Sequence, residues 1–375
     1  MIISELQLTN FRNYNHLNLT FHPNLNIFVG QNAQGKTNIA ESIYFLALTR
    51  SHRTHADREL IAWEQKEMSV SGTIIKKNTT VPLEITLTPK GRIAKVNHLK
   101  ENRLADYIGH LNVIMFAPED LAIIKGAPSV RRRFIDMEIG QIRPVYLYDL
   151  MRYNKTLKER NSYLKFDASK IDPNFLDVLD DQLVEYGEKV MAHRRQFITS
   201  LTEISADLHD HLSHGQEKLS IVYAQNVKTD FATELKQTRQ KDQFRAQTSV
   251  GPHRDDLQFL INDINVSNFG SQGQQRTTAL SVKLAEIELI YQETGEYPVL
   301  LLDDVMSELD NQRQLDLLSL VIGKTQTFIT TTTLDHLQHL PDKMTVFEVD
   351  HGQIKERDTQ SSTTYQKNSN FRAEI

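Results

Sequence analysis

The chain has 375 residues, of which 39% are apolar, and a formal net charge of −5. That length suffices for one large split domain or two moderate ones. The absence of cysteine excludes disulfides and cysteine-ligated zinc and fits a reducing compartment. Residues 1–11 lack the basic start and apolar block of a signal peptide, and no run of about 18 apolar residues follows. We therefore expect a cytoplasmic protein without a membrane partner.

The positions of the charged residues matter as well as the net charge of the chain. An acidic chain argues against a dedicated nucleic-acid binder, which is usually basic. The basic residues are clustered, however, and this is compatible with a basic groove on an acidic protein. The clusters are Arg50, Arg53 and Arg58; residues 131–133; Arg152, Lys155, Lys158 and Arg160; and Arg194 with Arg195.

The hydrophobic pattern changes from α/β to helical and back along the chain. Alternating or β-rich segments predict strands at residues 2–8, 17–29, 68–75, 81–87 and 112–116. Residues 38–48 and 129–166 have helical spacing, and a heptad-like apolar seam from 176 to 208 predicts an antiparallel helical hairpin. Strands return at 299–302, 327–331 and 345–349. This order predicts an α/β head at 1–120 and 241–355, a helical insertion at 121–240 and a polar, flexible tail at 356–375.

The first chemical motif runs from Gly30 to Thr37 and matches the phosphate-binding pattern G-x-x-x-x-G-K-[ST]. Its glycines let backbone N–H groups surround phosphates, Lys36 places a charge on the β- and γ-phosphates, and Thr37 offers a hydroxyl to Mg²⁺. It lies between an apolar strand and a helix, as this mechanism requires. The expected nucleotide contacts are Gly30, Gln31, Asn32, Ala33, Gln34, Gly35, Lys36, Thr37 and Asn38.

The second motif is the apolar segment 299–302 followed by Asp303 and Asp304, which is typical of a Walker B strand. We predict that Asp303 holds Mg²⁺ together with Thr37, and that Asp304 orients or deprotonates the attacking water. With Lys36, these two aspartates are the candidate catalytic residues. The alternative is a buried strand that ends in a helix cap, since aspartate favours caps.

The third motif, residues 270–276, precedes a helical stretch and resembles the ABC signature. It makes Ser271, Gly273 and Gln274 candidate nucleotide contacts, although a polar loop that caps a helix at Ser271 is a simpler alternative. Residues 307–310 follow Walker B at the spacing of the ABC D-loop, which adds Asp310. In ABC proteins the signature closes on the nucleotide of the other subunit, so the resemblance implies a head-to-head homodimer.

Three further stretches narrow the class. Residues 6–14, 118–136 and 251–256 resemble the RecF family within the ABC/SMC/Rad50 class, and the resemblance spans nearly the whole chain apart from the tail. It implies a P-loop ABC-type head with an inserted helical lobe, equivalent to a short SMC/Rad50-like arm. It also implies that His253, Arg254 and Asp255 brace the head near the signature.

The resemblance implies an ATP-dependent DNA-binding protein of recombinational repair, replication and the SOS response. Such a protein hydrolyses ATP slowly with stimulation by DNA, clamps duplex, gapped or single-stranded DNA, and assists RecA loading with RecO and RecR. Two departures bear on hydrolysis. Residues 330–333 are threonines where ABC transporters have a switch histidine, and Asp304 is one methylene shorter than the usual glutamate.

Several arginines remain open to two interpretations. Arg50, Arg53, Arg131, Arg132 and Arg133 are candidate DNA contacts, because arginine suits phosphates, but they fit solvated or salt-bridged positions equally well.

The role of Arg12 and Asn13 and the function of the whole chain also have alternative interpretations. Arg12 and Asn13 either touch the nucleotide or form a local turn. For the whole chain, the alternatives are the ATPase subunit of an ABC transporter and a nucleotide-gated clamp that hardly hydrolyses ATP.

Overall fold

The computed structural model describes residues 1–167, 170–307, 309–334 and 344–357. The chain divides into two compact units. The first comprises residues 1–100, 115–118 and the chain from 298 onward, and the second comprises residues 101–114 and 119–297. Nearly all of the tail expected at 356–375 lies outside the described residues.

Strands and helices are mixed at both ends of the chain, and the middle of the chain is mainly helical, as the sequence predicted. The strands are β1 (Ile2–Phe11), β2 (Tyr14–Thr20), β3 (Leu25–Val29), β4 (Met68–Lys76), β5 (Thr79–Thr88), β6 (Gly91–Val96), β7 (Leu99–Lys100), β8 (Val113–Phe116), β9 (Leu219–Ala224), β10 (Asp256–Ile261), β11 (Ile264–Asn265), β12 (Val299–Asp303), β13 (Thr327–Thr331), β14 (Thr345–Asp350) and β15 (Gln353–Arg357). The helices are α1 (Lys36–Leu48), α2 (Leu104–Tyr107), α3 (Leu121–Lys125), α4 (Pro128–Ile142), α5 (Pro144–Tyr163), α6 (Pro173–Leu212), α7 (Phe231–Arg245), α8 (Val266–Phe269), α9 (Gln272–Thr294) and α10 (Asn311–Val321).

An antiparallel sheet forms one layer of the first unit, in the order β2-β1-β4-β5-β6-β7. In β5 the apolar residues Val81, Leu83, Ile85 and Leu87 are buried, and the residues between them are not. This period of two is that of a strand with one face in the core, so the predicted strands at 68–75 and 81–87 are confirmed.

The second sheet of this unit has a parallel centre, in the order β15-β14-β3-β13-β12-β8. All five residues of β12 are buried, as expected for a strand covered on both faces. Its core includes Phe21 and Phe328, whose ring centroids are 4.8 Å apart edge to face. Because β3, β13 and β12 run parallel, their carboxyl ends meet at one edge, where open α/β sheets bind ligands.

The second unit centres on a helical hairpin made by α5 and α6. Arg160 pairs with Asp180 near the turn, and Tyr146 contacts Arg194 farther along, so the two helices run antiparallel. The predicted hairpin is therefore confirmed. At Gly187 an added Cβ would lie 2.5 Å from the Phe231 ring, which explains a glycine in mid-helix.

The heptad-like seam is the buried face of α6. Its fully buried members are Leu176, Leu179, Leu183, Val190, Phe197 and Leu201. Tyr186, Ile204 and Leu208 are partly buried and pack against the same core. The seam is core packing, as the spacing predicts.

The unit boundaries differ from the sequence prediction at residues 101–114 and 119–120, and over the longer segment 241–297, all of which were assigned to the head. These residues belong to the second unit. Strand β10 pairs with β9 from Asp256↔Ala224 to Ile261↔Leu219, and helix α9 packs on α6. Strand pairing and a shared core join this segment to the helical insertion, and neither is visible in local periodicity.

Among the described residues, no helix combines the length and apolarity that a membrane crossing requires.

Candidate nucleotide site and signature helix

The predicted phosphate-binding loop leads from β3 into α1. Gly35 occupies the N-cap of α1 with φ of 116°, and the first turn contains no acidic residue. A Cβ at Gly35 would lie 2.7 Å from both Asn13 Nδ2 and the Tyr14 hydroxyl, so only glycine fits. The helix N-terminus thus presents backbone N–H groups and a positive dipole end without a capping side chain, which favours an anion site.

Lys36 is folded over the loop that it follows. Its Nζ donates to the carbonyl oxygens of Gly30 at 2.7 Å and of Gln31 at 2.9 Å. Burial lowers the pKa of Lys36, and the carboxylates of Asp304 and Asp303 oppose that change. The ammonium therefore lies between the loop and the end of β12, where it can meet a β- or γ-phosphate.

The end of β12 brings the predicted metal ligands together. Thr37 Oγ1 lies 3.1 Å from Asp303 Oδ1, although 266 positions separate the residues in the chain. A hydroxyl and a carboxylate are hard oxygen donors of the kind that Mg²⁺ accepts, with phosphate and water oxygens completing its shell. Burial raises the pKa of Asp303, and hydrogen bonds from Thr330 and Thr37 act against it. The residues present therefore fit a magnesium ion bound with a nucleoside triphosphate.

Strand β13 lies between β3 and β12, and its last residues connect the two motifs. Thr330 Oγ1 donates to Asp303 Oδ1 at 2.6 Å and accepts from the backbone N–H of Asp304 at 3.0 Å. Thr331 accepts a backbone bond from Gly30 at 3.3 Å. Asp304 itself has φ of 57°, a left-handed conformation that turns the chain sharply after the strand.

Asn13 and its neighbours frame the loop from outside. Asn38 donates to Asn13 Oδ1 at 2.8 Å, and Tyr14 donates to the Gly35 carbonyl at 3.1 Å. The loop residue Gln34 accepts from the backbone N–H of His351 at 2.5 Å and of Gly352 at 3.1 Å. Asn13 thus contacts the phosphate-binding loop, and its role toward the nucleotide remains a prediction.

Arg12 is engaged in a different contact. Its guanidinium forms two hydrogen bonds, of 2.8 and 2.6 Å, with the fully buried Glu41 of α1. Ser51 also donates to Glu41, at 2.5 Å, and Arg53 donates to Asn38 at 3.1 Å. Burial would raise the pKa of Glu41, but Arg12 and Ser51 hold it below its ordinary value. This cluster fixes α1 against the turn after β1, which is the local-turn interpretation of Arg12.

In the second unit, the signature-like residues begin helix α9. Ser271 is its N-cap and forms a capping box with Gln274, in which each side chain bonds the other residue's backbone N–H. Gly273 lies in the first turn, and Gln274 Nε2 donates to Glu217 at 2.9 Å. The predicted helix cap is present, and this geometry is also compatible with a signature that meets a phosphate, because the N-terminus of α9 carries the positive end of the helix dipole.

The D-loop candidate caps the next helix. Asp310 is the N-cap of α10 and accepts from the backbone N–H of Arg313 at 2.9 Å. Ser307 donates to the carbonyl oxygen of Asp304 at 2.8 Å. Glu308, between them, lies outside the described residues.

Comparison with known proteins identifies the family. The model for the RecF/RecN/SMC N-terminal domain matches residues 2–355. The chain belongs to the RecF family. It is 66% identical to the DNA replication and repair protein RecF of Lactococcus lactis strain IL1403, over 95% of this chain and 99% of that protein. The corresponding identity to RecF of Streptococcus pneumoniae strain R6 is 56%, over 94% and 98% of the two chains.

Solved structures agree with this assignment. A structure described as the recombination mediator protein RecF with ATP in the RecFOR pathway matches with a TM-score of 0.88 at 34% identity, over 95% of this chain and 97% of that one. An SMC head domain from Pyrococcus furiosus matches with a TM-score of 0.55 at 16% identity, over 95% of both chains. The second likeness concerns the fold alone.

Two of the RecF-like stretches contact each other directly. Arg131 forms two hydrogen bonds, of 2.6 and 2.9 Å, with Asp256, and Arg132 donates to the backbone carbonyl of Asp255 at 2.7 Å. The side chain of Arg131 is only 9% exposed. Asp256 occupies its Nε and Nη2 and the carbonyl oxygen of Gly126 its Nη1, which favours the salt-bridged interpretation of Arg131 over a DNA contact. Burial and nearby Arg194 lower the pKa of Arg132.

The stretch 251–256 has a structural role in this RecF-family chain. Arg194 is buried and bonds the carbonyl oxygen of Pro252 at 2.7 Å and Asp136 at 2.8 Å. The partly buried His253 lies 2.6 Å from the Tyr153 hydroxyl. These contacts brace the helical hairpin of the second unit, whereas the resemblance implied that the segment braces the head near the signature.

Sequence reasoning missed several residues that position the site. Glu41 was detectable as the one acidic residue in the otherwise apolar centre of α1. In the sequence, Thr330 is distinguished only as one of four threonines at the place where ABC transporters have a histidine. Glu217 and His209, which contact the signature helix, carry no local sequence signal, because their partners are remote in the chain.

Proposed function

We propose that this chain is a cytoplasmic ATP-dependent DNA-binding ATPase of recombinational repair. ATP and Mg²⁺ bind at the carboxyl edge of the parallel sheet, and the signature of a second copy closes on the γ-phosphate to give a head-to-head dimer. The dimer clamps duplex or gapped DNA through phosphates without reading sequence. In cells it acts with RecO and RecR to assist RecA loading.

The observation that carries this proposal is the convergence of Lys36, Thr37, Asp303 and Asp304 at one edge. The hydrogen bond of Thr37 to Asp303 joins the phosphate-binding loop to the Walker B strand over 3.1 Å. Such an arrangement serves phosphoryl transfer, in which catalysis consists of positioning and electrostatic stabilisation. Membership of the RecF family, and the ATP in the solved relatives, support this use over a transporter subunit.

The chemistry assigns one task to each side chain. Lys36 offsets charge on the β- and γ-phosphates, and Asp304 accepts a proton from the attacking water or orients it. Thr37 and Asp303 would hold Mg²⁺, which neutralises charge developing on the phosphate oxygens. Hydrolysis removes the γ-phosphate contacts that join the subunits, and the clamp then opens by mass action.

DNA contact is proposed for the candidate arginines whose side chains reach solvent. Arg50 is exposed, the side chain of Arg53 is 44% exposed, and Arg133 is partly exposed. DNA stimulation and a slow basal rate follow from the short carboxylate of Asp304, whose reach to the water depends on closure of the dimer.

The test is the solution mass with ATP, with ADP, and with each nucleotide plus gapped duplex DNA. Wild type should form a dimer with ATP alone, and that dimer should retain DNA. Lys36→Met should remain monomeric, while Lys66→Met, which removes an exposed lysine of the same unit, should behave as wild type. A wild-type mass that ignores ATP, together with no DNA binding, would overturn the proposal.

A further inference from the structure

The side-chain amide of Gln274 is held at both ends. Its oxygen accepts from the backbone N–H of Ser271 at 2.8 Å, and its Nε2 donates to Glu217 Oε1 at 2.9 Å. The first contact closes the capping box of α9. Both contacts require the same amide orientation, because only the oxygen can accept from Ser271 and only the NH₂ end can donate to a carboxylate. Glu217 therefore holds the amide in the orientation that the capping box uses.

Glu217 has a second partner in the core. Its Oε2 lies 3.0 Å from His209 Nε2, and His209 Nδ1 lies 3.0 Å from the Ser281 hydroxyl. Both His209 and Ser281 are fully buried. His209 belongs to α6 and Ser281 to α9, so the chain of contacts links the end of the long helix to two points on the signature helix.

This series resembles the serine–histidine–carboxylate arrangement of hydrolases, but it has no access to substrate. Ser281 is fully buried, and its Oγ lies 2.8 Å from the carbonyl oxygen of Thr277 in the preceding turn. A neutral imidazole satisfies both contacts when the single hydroxyl proton of Ser281 is turned from Thr277 to Nδ1 of His209, since Nε2–H then donates to Glu217. Burial favours that form and lowers the pKa of His209, although Glu217 raises it.

We propose that Glu217 is a positioning residue for the signature. Through Gln274 and His209 it fixes the first turn of α9 in the orientation that receives the ATP of the other subunit. The same contacts make that turn depend on the position of α6. This inference rests on the proposed function, because the signature acts there on the partner's nucleotide.

Glu217 suits this task because it accepts from two donors at once. The side chain is 22% exposed, whereas His209 is fully buried. Truncation at Glu217 therefore leaves the Nε2 of Gln274 and of His209 without this acceptor and frees the amide to turn. A glutamine at the same position can rebuild both contacts, since its oxygen accepts from Gln274 and its NH₂ donates to the other tautomer of His209.

The experiment measures the dimer dissociation constant of the full chain by analytical ultracentrifugation with a non-hydrolysable ATP analogue. Glu217→Ala should weaken the dimer at least tenfold, whereas Glu217→Gln should restore it to within about threefold of wild type, because one lost charged hydrogen bond corresponds to about a tenfold change. Glu203→Ala, at an exposed glutamate of α6, is the matched control and should match wild type. Binding of a fluorescent ATP analogue to the dilute monomer should be the same in all four proteins.

Each outcome decides one hypothesis. If wild type does not dimerise with the ATP analogue, the composite site of the proposed function fails irrespective of Glu217. If wild type dimerises and E217A dimerises equally well, the positioning role alone is overturned. Glu217→Asp, which retracts the carboxylate by one methylene, replaces E217A should that variant not fold, and it should lose the dimer in the same way. Equal loss in E217Q and E217A would also contradict the proposal.

Discussion

The hydroxyl of Thr330 lies 2.6 Å from Oδ1 of Asp303 at the carboxyl edge of the parallel sheet. The same hydroxyl accepts the backbone N–H of Asp304 at 3.0 Å. One side chain thus fixes both the carboxylate assigned to the metal and the backbone of the residue assigned to the water. Thr330 is the penultimate residue of β13, the strand after which ABC transporters place a switch histidine, and it supplies a positional constraint from within the sheet.

Removing that hydroxyl should slow hydrolysis more than it weakens binding. Thr330→Val keeps the shape of the side chain but removes the hydrogen bond to Asp303, which keeps the one from Thr37, and leaves the N–H of Asp304 without this acceptor. Because a hydrogen bond to a charged group contributes roughly 1.5–3 kcal/mol, we expect kcat to fall about 10- to 100-fold while the KM for ATP changes less. Steady-state kinetics with saturating DNA measure both constants. Thr330→Ser retains the hydroxyl and should keep most of the rate, and a T330V enzyme with wild-type kcat would refute this account.

Asp304→Asn should separate hydrolysis from nucleotide binding. An amide keeps the size of the side chain but is a poor proton acceptor, so hydrolysis should fall on the order of 10²-fold or more. ATP-dependent dimerisation should persist, since the phosphate contacts of Lys36 and the loop remain. Single-turnover hydrolysis and solution mass provide the two readings. Unchanged hydrolysis in D304N would assign water activation to another group.

Much of the site was accessible from the sequence because its motifs are local. The phosphate-binding loop must follow a strand and precede a helix, and β3 and α1 satisfy that requirement. Parallel strands place their carboxyl ends together, so Thr37 and Asp303 could be expected to meet. The heptad-like seam likewise predicted the hairpin, because buried faces of helices have a fixed period.

The remaining features depend on contacts between distant segments. Arg131 belongs to a run of three arginines that suggests a basic surface, yet Asp256 pairs with it from 125 positions away. Periodicity gives no information on such pairs, nor on the pairing of β9 with β10 that moves residues 241–297 out of the head. The pairing of Arg131 and the unit boundaries therefore required the structure.

Arg131→Ala should destabilise the fold. The substitution leaves the carboxylate of Asp256 without its bidentate partner, the largely buried guanidinium of Arg131. Breaking such a pair costs about 3 kcal/mol. Urea unfolding measures the change, with Arg50→Ala as the exposed control. A stable R131A protein that loses DNA affinity would restore the DNA-contact hypothesis.

A buried cluster of charges in the second unit predicts how stability varies with pH. Lys283 donates to Glu286 at 2.7 Å, and Glu138 accepts from Gln141 at 3.1 Å. Burial acts against the ammonium of Lys283, but the carboxylates of Glu286, Asp120 and Glu138 overcome it and raise its pKa. Burial raises the pKa of Glu138 to about 7, with Lys283 opposing, and also raises that of Glu286. Two buried carboxylates share one ammonium, so one of them tends to retain a proton.

Glu138→Gln should therefore flatten the pH dependence of stability. The pKa of Glu138 is higher in the folded chain than the ordinary value of 4.5, so its stabilising contribution is complete below pH 4.5 and is lost as the pH rises through about 7. Wild type should lose up to about 3 kcal/mol across this range from this group, since each pKa unit corresponds to about 1.4 kcal/mol. The glutamine is neutral throughout and still accepts from Gln141, so E138Q should gain relative to wild type from pH 5 to pH 8. Urea unfolding at three pH values in that range measures the difference, and parallel curves for the two proteins would show that Glu138 ionises with its ordinary pKa.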